Sequence, residues 1–156
     1  MGTGLYSPTV RKFTGSTWQV IGASSDLGTN NVPAIASSDN TVYALLQVGT
    51  TAASVCAYTT SWTKLSSDIL TGTGVTASSL AIDPTTGDLY VAGSIGNSIT
   101  VKRWNGTLWS TVGSTTSPVA TGALDRTSMA VDASGTPYLA FLDANNGSAL
   151  TVMSFR

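Results

Sequence analysis

Any chemistry on this chain must come from few side chains. There are eight aspartates, seven lysines and arginines, and no histidine or glutamate. The commonest general base, the commonest zinc ligand and half of the carboxylates used in hydrolysis are therefore missing. Asp39, Asp83, Asp88 and Asp132 stand beside turn formers, where a carboxylate accepts backbone hydrogen bonds and holds a hairpin loop together. No nucleophile stands beside a base, so neither enzymatic activity nor a cofactor is expected. The one cysteine, Cys56, excludes an intramolecular disulfide framework, and within Ser54-Val55-Cys56-Ala57-Tyr58 it reads as a packing residue.

The aromatic residues suggest a second kind of chemistry. Sugars stack their apolar faces on indole rings and take hydrogen bonds from polar neighbours. Trp104 beside Lys102 and Arg103 is the best candidate for such a platform. Asp125 and Arg126 are further candidates for ligand contact, with a local ion pair as the plainer reading. Packing is the plainer reading of Trp104, because Phe13, Tyr58 and Phe155 hold the equivalent place in the other repeats. With a net charge of −1 and no basic run longer than two residues, the chain lacks the electrostatic footprint of a nucleic-acid binder. No run approaches the ~18 apolar residues of a membrane helix, and the first residues lack the basic and apolar regions of a signal peptide.

The elements that must position these residues repeat. Phe13 with Trp18, Tyr58 with Trp62 and Trp104 with Trp109 recur as an aromatic, a short turn and a tryptophan, and a fourth aromatic stands at Phe155. Tyr43, Tyr90 and Tyr138 follow at intervals of 47 and 48 residues. Such a period, with several short strands per unit, is the signature of a propeller blade. Charged residues make up only 10% of the chain, and Ser, Thr and Gly fill the gap, a balance suited to β-structure.

Each unit reads as four strands, A to D. Strand A spans 32–37, 79–83 and 128–132. Strand B spans 41–47, 88–93 and 136–142, joined to A by tight turns at Asp39-Asn40, Thr86-Gly87 and Ser134-Gly135. Strand C spans 10–13, 55–58, 101–104 and 152–155, and strand D carries Trp18, Trp62 and Trp109. No stretch shows a capped 3.6-residue period, so almost no helix is expected.

The segments Leu80-Ala81-Ile82-Asp83 through Tyr90-Val91-Ala92-Gly93, and Met129-Ala130-Val131-Asp132 through Tyr138-Leu139-Ala140, resemble the blade core of bacterial β-propeller repeats of the NHL and SBBP kind. The resemblance implies an all-β propeller with three four-stranded blades in a single domain over residues 1–156. It implies little about function, since such repeats serve many roles. In the first unit Ser37 replaces the aspartate.

In chain order the strands run C-D, A-B-C-D, A-B-C-D, A-B-C. Closed propellers usually have four to eight blades. Two copies give six and three give nine, so a homodimer is expected over a trimer. A thirteenth strand is then surplus, because strand C occurs at both ends. The function expected is a self-assembling structural or interaction module, with a lectin-like carbohydrate binder as the alternative.

Overall fold

The computed structural model describes residues 7–28, 30–113 and 127–155, apart from the side chains of residues 32, 33, 77 and 78. The fold is all-β and antiparallel. Strands β1 (Arg11–Phe13) and β2 (Trp18–Val20) form a first, two-stranded sheet. Strands β3 (Asn31–Ser38), β4 (Thr41–Val48), β5 (Ala52–Tyr58) and β6 (Trp62–Lys64) follow in order in the second sheet, with β7 (Leu70–Thr71) also on β5. The third sheet is β8 (Val75–Ile82), β9 (Leu89–Ile95), β10 (Ser98–Trp104) and β11 (Trp109–Thr111). The fourth is β12 (Ser128–Val131), β13 (Pro137–Asp143) and β14 (Ala149–Ser154). Two short 3-10 turns, Ser24–Leu27 and Ala144–Asn146, are the only helical segments among the described residues. No sheet closes on itself.

The sheets stack through alternating side chains. Leu45, Val55, Leu80 and Val91 fill the junction between the second and third sheets. Ala92, Val101, Leu139 and Phe141 fill that between the third and fourth. Val10, Ala44, Leu46, Cys56 and Trp62 fill that between the first and second. Neighbours along one strand thus serve opposite junctions, which is why the apolar runs here are nearly continuous. The first strands also meet, with β8 against β3 on one side and β12 on the other. The Met129 backbone N–H donates to the buried Ser79 hydroxyl at 2.9 Å.

The recurring aromatics are cross-strand neighbours. Phe13 opposes Trp18, Tyr58 opposes Trp62, and Trp104 opposes Trp109. Their centroids lie 5.4, 5.2 and 5.5 Å apart with tilted planes, the arrangement ring quadrupoles favour. One hydrogen bond recurs with them. The residue three places after each tryptophan donates to the valine three places before each aromatic, Ile21 to Val10, Leu65 to Val55 and Val112 to Val101, at 3.0, 2.9 and 2.9 Å.

Two sequence expectations need correction. Of the A–B turns only Asp39-Asn40 is a two-residue turn, with Ser38 opposite Thr41. The other two are wider, since Ile82 opposes Leu89 and Val131 opposes Pro137. In each, an aspartate organises the loop. Asp83 Oδ1 accepts from the Thr85 backbone N–H (2.7 Å), the Thr85 hydroxyl (2.6 Å) and the Thr86 N–H (3.3 Å). Asp132 Oδ1 accepts in the same way from Ser134 and Thr136. Secondly, the segment after β6, to which the four-strand reading gives no strand, adds one to the second sheet. Ile69 N–H returns to Ala53 C=O at 2.8 Å, and β7 continues along β5.

Candidate functional site: a split platform and two uncovered faces

Alternation along β10 divides the sugar-platform candidates between two junctions. Lys102 and Trp104 share the face turned to the second sheet, where Trp104 packs half-buried against the core beside Trp109. The Lys102 ammonium donates to Thr111 Oγ1 at 2.7 Å. Arg103 lies on the opposite face. Its Nε donates to Asp88 Oδ2 at 2.6 Å, and Nη2 joins the same carboxylate in an ion pair. That hydrogen bond holds the guanidinium still more firmly protonated. The Asp88 carboxylate therefore serves a side chain, while its backbone closes the turn, the carbonyl accepting from Asp83 N–H at 2.8 Å. Asp125 and Arg126 lie outside the described residues. Among the described residues, no three His, Cys, Asp or Glu side chains converge to hold a metal.

Cys56 is buried, and desolvation pushes its thiol pKa up, as expected of a packing residue. Burial also pushes up the Tyr90 phenol.

Apart from Leu108 in the β10–β11 turn, the large exposed apolar side chains among the described residues lie at the two ends of the stack. On the fourth sheet Tyr138, Leu142, Leu150 and Val152 share one face, as the β13–β14 register requires, and Leu150 and Val152 are 72% and 62% exposed. The Tyr138 hydroxyl donates to Asp132 Oδ2 at 3.2 Å at the border of this face, while Leu142, Leu150 and Val152 are aliphatic. The opposite face of that sheet carries Leu139 and Phe141, both buried against the third sheet. At the other end Phe13, Trp18 and Val20 are exposed on the first sheet and Ile35 on the second. Trp18 is 63% exposed, whereas Trp62 is 7% exposed.

Each end also has a hollow. One of about 360 Å³ lies beside the first sheet and is lined by Val10, Lys12, Ile35 and Val42 among others. The other, about 450 Å³, lies between the third and fourth sheets and is lined by Tyr90, Arg103, Val112, Pro137 and Phe155 among others.

The interior shows how such a place is filled. The Trp62 indole lies over Ile21 and Gly22, and its Nε1 donates to the Ile21 carbonyl at 3.2 Å. Gly22 has φ +68°, and a Cβ there would come within 2.4 Å of the indole. Val112 and Gly113 repeat Ile21 and Gly22, three and four residues after a tryptophan, and Gly113 also has positive φ. Only the edge of the Phe155 ring approaches Gly113, at 3.9 Å from where a Cβ would stand. The middle unit has Ser66 at this place, and the buried Trp109 Nε1 has no hydrogen-bond partner among the described residues. The spacing of Val112 and Gly113 from Trp109 was readable in the sequence. Its meaning required the packing of Trp62 on Gly22.

No protein-family model matches the chain, and no curated protein matches it.

Proposed function

We propose that the chain is half of a six-bladed β-propeller, completed by a second copy, which serves as a non-catalytic structural or interaction module. Each four-stranded meander is then a blade, and the NHL- and SBBP-like segments are its inner strands. The observation that carries this reading is the complementarity of the two ends. The first sheet offers two outer-type strands beside an open hollow, where two inner strands are missing. The fourth sheet offers inner strands and lacks an outer one. A largely apolar face, bordered by a strand edge that is unpaired among the described residues, is a surface that sheet proteins cover. Joined end to end, two copies cover both faces twice.

The lectin-like alternative has less support. Trp104 is packed against the core, and Arg103, on the other face, is committed to Asp88.

Light scattering or sedimentation on the 156-residue chain tests the proposal. A mass near twice 15.9 kDa is expected. A folded monomer at micromolar concentration overturns it, and a trimer would mean nine blades.

A further inference from the structure

Two strands of this chain fit one place. The last strand, β14, lies beside β13 with its Phe155 N–H on the Pro137 carbonyl at 3.1 Å. In a two-copy ring, β1 of the other copy arrives at the same edge. The two segments align without a gap, Ser7-Pro8-Thr9-Val10-Arg11-Lys12-Phe13 against Ala149-Leu150-Thr151-Val152-Met153-Ser154-Phe155, and share the threonine, the valine and the final phenylalanine. Both place a valine where Val55 and Val101 accept the recurring hydrogen bond, and both end on the aromatic.

We infer that the second copy's β1–β2 hairpin displaces β14 from β13 and seats Trp18 on Val112 and Gly113, a step that rests on the two-copy ring proposed above. Three observations favour the hairpin over β14. The hairpin is already anchored in its own chain: Val10 is buried, Ile21 N–H is on Val10, and the Ile21 carbonyl holds the Trp62 indole. β14 is held by its pairing with β13 and by Met153 and Phe155 on the core, and none of its residues is fully buried as Val10 is. Secondly, only the hairpin brings a tryptophan. Phe13 and Trp18 already stand 5.4 Å apart, as Tyr58 and Trp62 do over Ile21 and Gly22. Thirdly, among the described residues the inner edge of β1 is unpaired and can receive β13, whereas β2 would have to leave β1 to join β14. Phe155 is thus a placeholder for the partner's Phe13, and β14 is the surplus strand. In the assembled state the Trp18 indole donates to the Val112 carbonyl of the other copy.

A reversible lock tests this. Tyr138 opposes Ser154 in the present register, and in the exchanged register it opposes Lys12 of the other copy. The double variant Tyr138→Cys, Ser154→Cys, when oxidised, ties β14 to β13. Such cross-strand neighbours lie within disulfide reach. Oxidised protein is expected to be monomeric, and reduction is expected to restore the dimer. An oxidised dimer as tight as the reduced one overturns the displacement while leaving the two-copy ring intact. A wild-type chain that is monomeric throughout removes the ring and the exchange together.

A mixture of Lys12→Cys and Tyr138→Cys chains, both substituted at exposed positions, is expected to cross-link between copies. Absence of that cross-link in a dimeric mixture also counts against the exchange. Trp18→Ala is expected to weaken the dimer at least tenfold with little change in monomer folding, since a buried interface tryptophan is commonly a hot spot. An unchanged dimer would rule out the Trp18 socket.

Discussion

At the residue scale, Asp83 carries the clearest titration. Its carboxylate is 4% exposed, and the Thr85 hydroxyl, then the backbone N–H groups of Thr85 and Thr86, hold its pKa below the usual value against the opposing effect of burial. A carboxylate with a depressed folded-state pKa stabilises the fold above its unfolded value, about 3.9, and that contribution is lost as pH falls through the folded-state value. Asp83→Asn is expected to cost about 1–2 kcal/mol at pH 7. The difference from wild type should shrink below about pH 4, as chemical denaturation across pH can measure. A constant difference down to pH 2 would mean that the charge does not matter. Asp132 is held low in the same way, first by the Ser134 hydroxyl, and strengthens the same acid limb. With no histidine or glutamate in the chain, side chains contribute little pH dependence between about 5 and 8. Above about 8.5 the buried Cys56 thiol, with its raised pKa, removes stability as pH rises.

At the scale of elements, the tryptophan sockets decide what a substitution costs. Trp62→Ala removes a buried indole and its bond to Ile21, and is expected to cost about 3–5 kcal/mol in denaturant unfolding. It should destabilise at least as much as Trp104→Ala, whose ring is only half-buried. Gly22→Ala attacks the same contact from below. It combines a positive φ with a Cβ inside the indole, so a loss of about 1–3 kcal/mol is expected. If Gly22→Ala melts like wild type, the indole is not seated on Gly22. Much of this was legible in the sequence. The aromatic-turn-tryptophan spacing located both outer strands of the first three sheets, because cross-strand pairing forces those residues opposite one another. The strand ends were read short, since Ala52, Ala53 and Ser98 lack the aromatic or β-branched character that marks a strand, and packing on both faces extends β5 and β10 over them. The wide loops after Asp83 and Asp132 were misread as two-residue turns because Thr-Gly and Ser-Gly resemble hairpin turns. The aspartate that opens each loop was the better clue. The division of Lys102 and Trp104 from Arg103 follows from alternation alone, whereas the pairing of Arg103 with Asp88 requires the register.

At the scale of the molecule, every interior junction buries side chains from both sheets, and both terminal faces stay open, Phe13, Trp18 and Val20 beside Arg11 on one and Leu142, Leu150 and Val152 on the other. Leu142→Lys, on β13, places charge on the fourth sheet's open face, where the residue is 44% exposed. It distinguishes a surface that assembly covers from one that stays in water. If the face is covered, the substitution is expected to disrupt the dimer while leaving monomer stability within about 0.5 kcal/mol; sedimentation and melting read the two effects separately. A dimer that tolerates the lysine would place the interface elsewhere.

The unlike ends of the stack have a further consequence for growth. A head-to-tail contact has no built-in stopping point, and it ends in a closed object only when each junction turns the next by the right fraction of a circle. For six units that fraction is roughly 60°. In the two-copy ring proposed above, Gly22 under Trp62 and Gly113 under the partner's tryptophan would set curvature as well as strength, because the space at each glycine limits how deeply an indole can sink between two sheets. A tilt error of a few degrees at one socket costs little energy locally, but it accumulates around the circle. Substitutions there are the ones able to convert a finite particle into an open helical fibre while every individual contact is preserved.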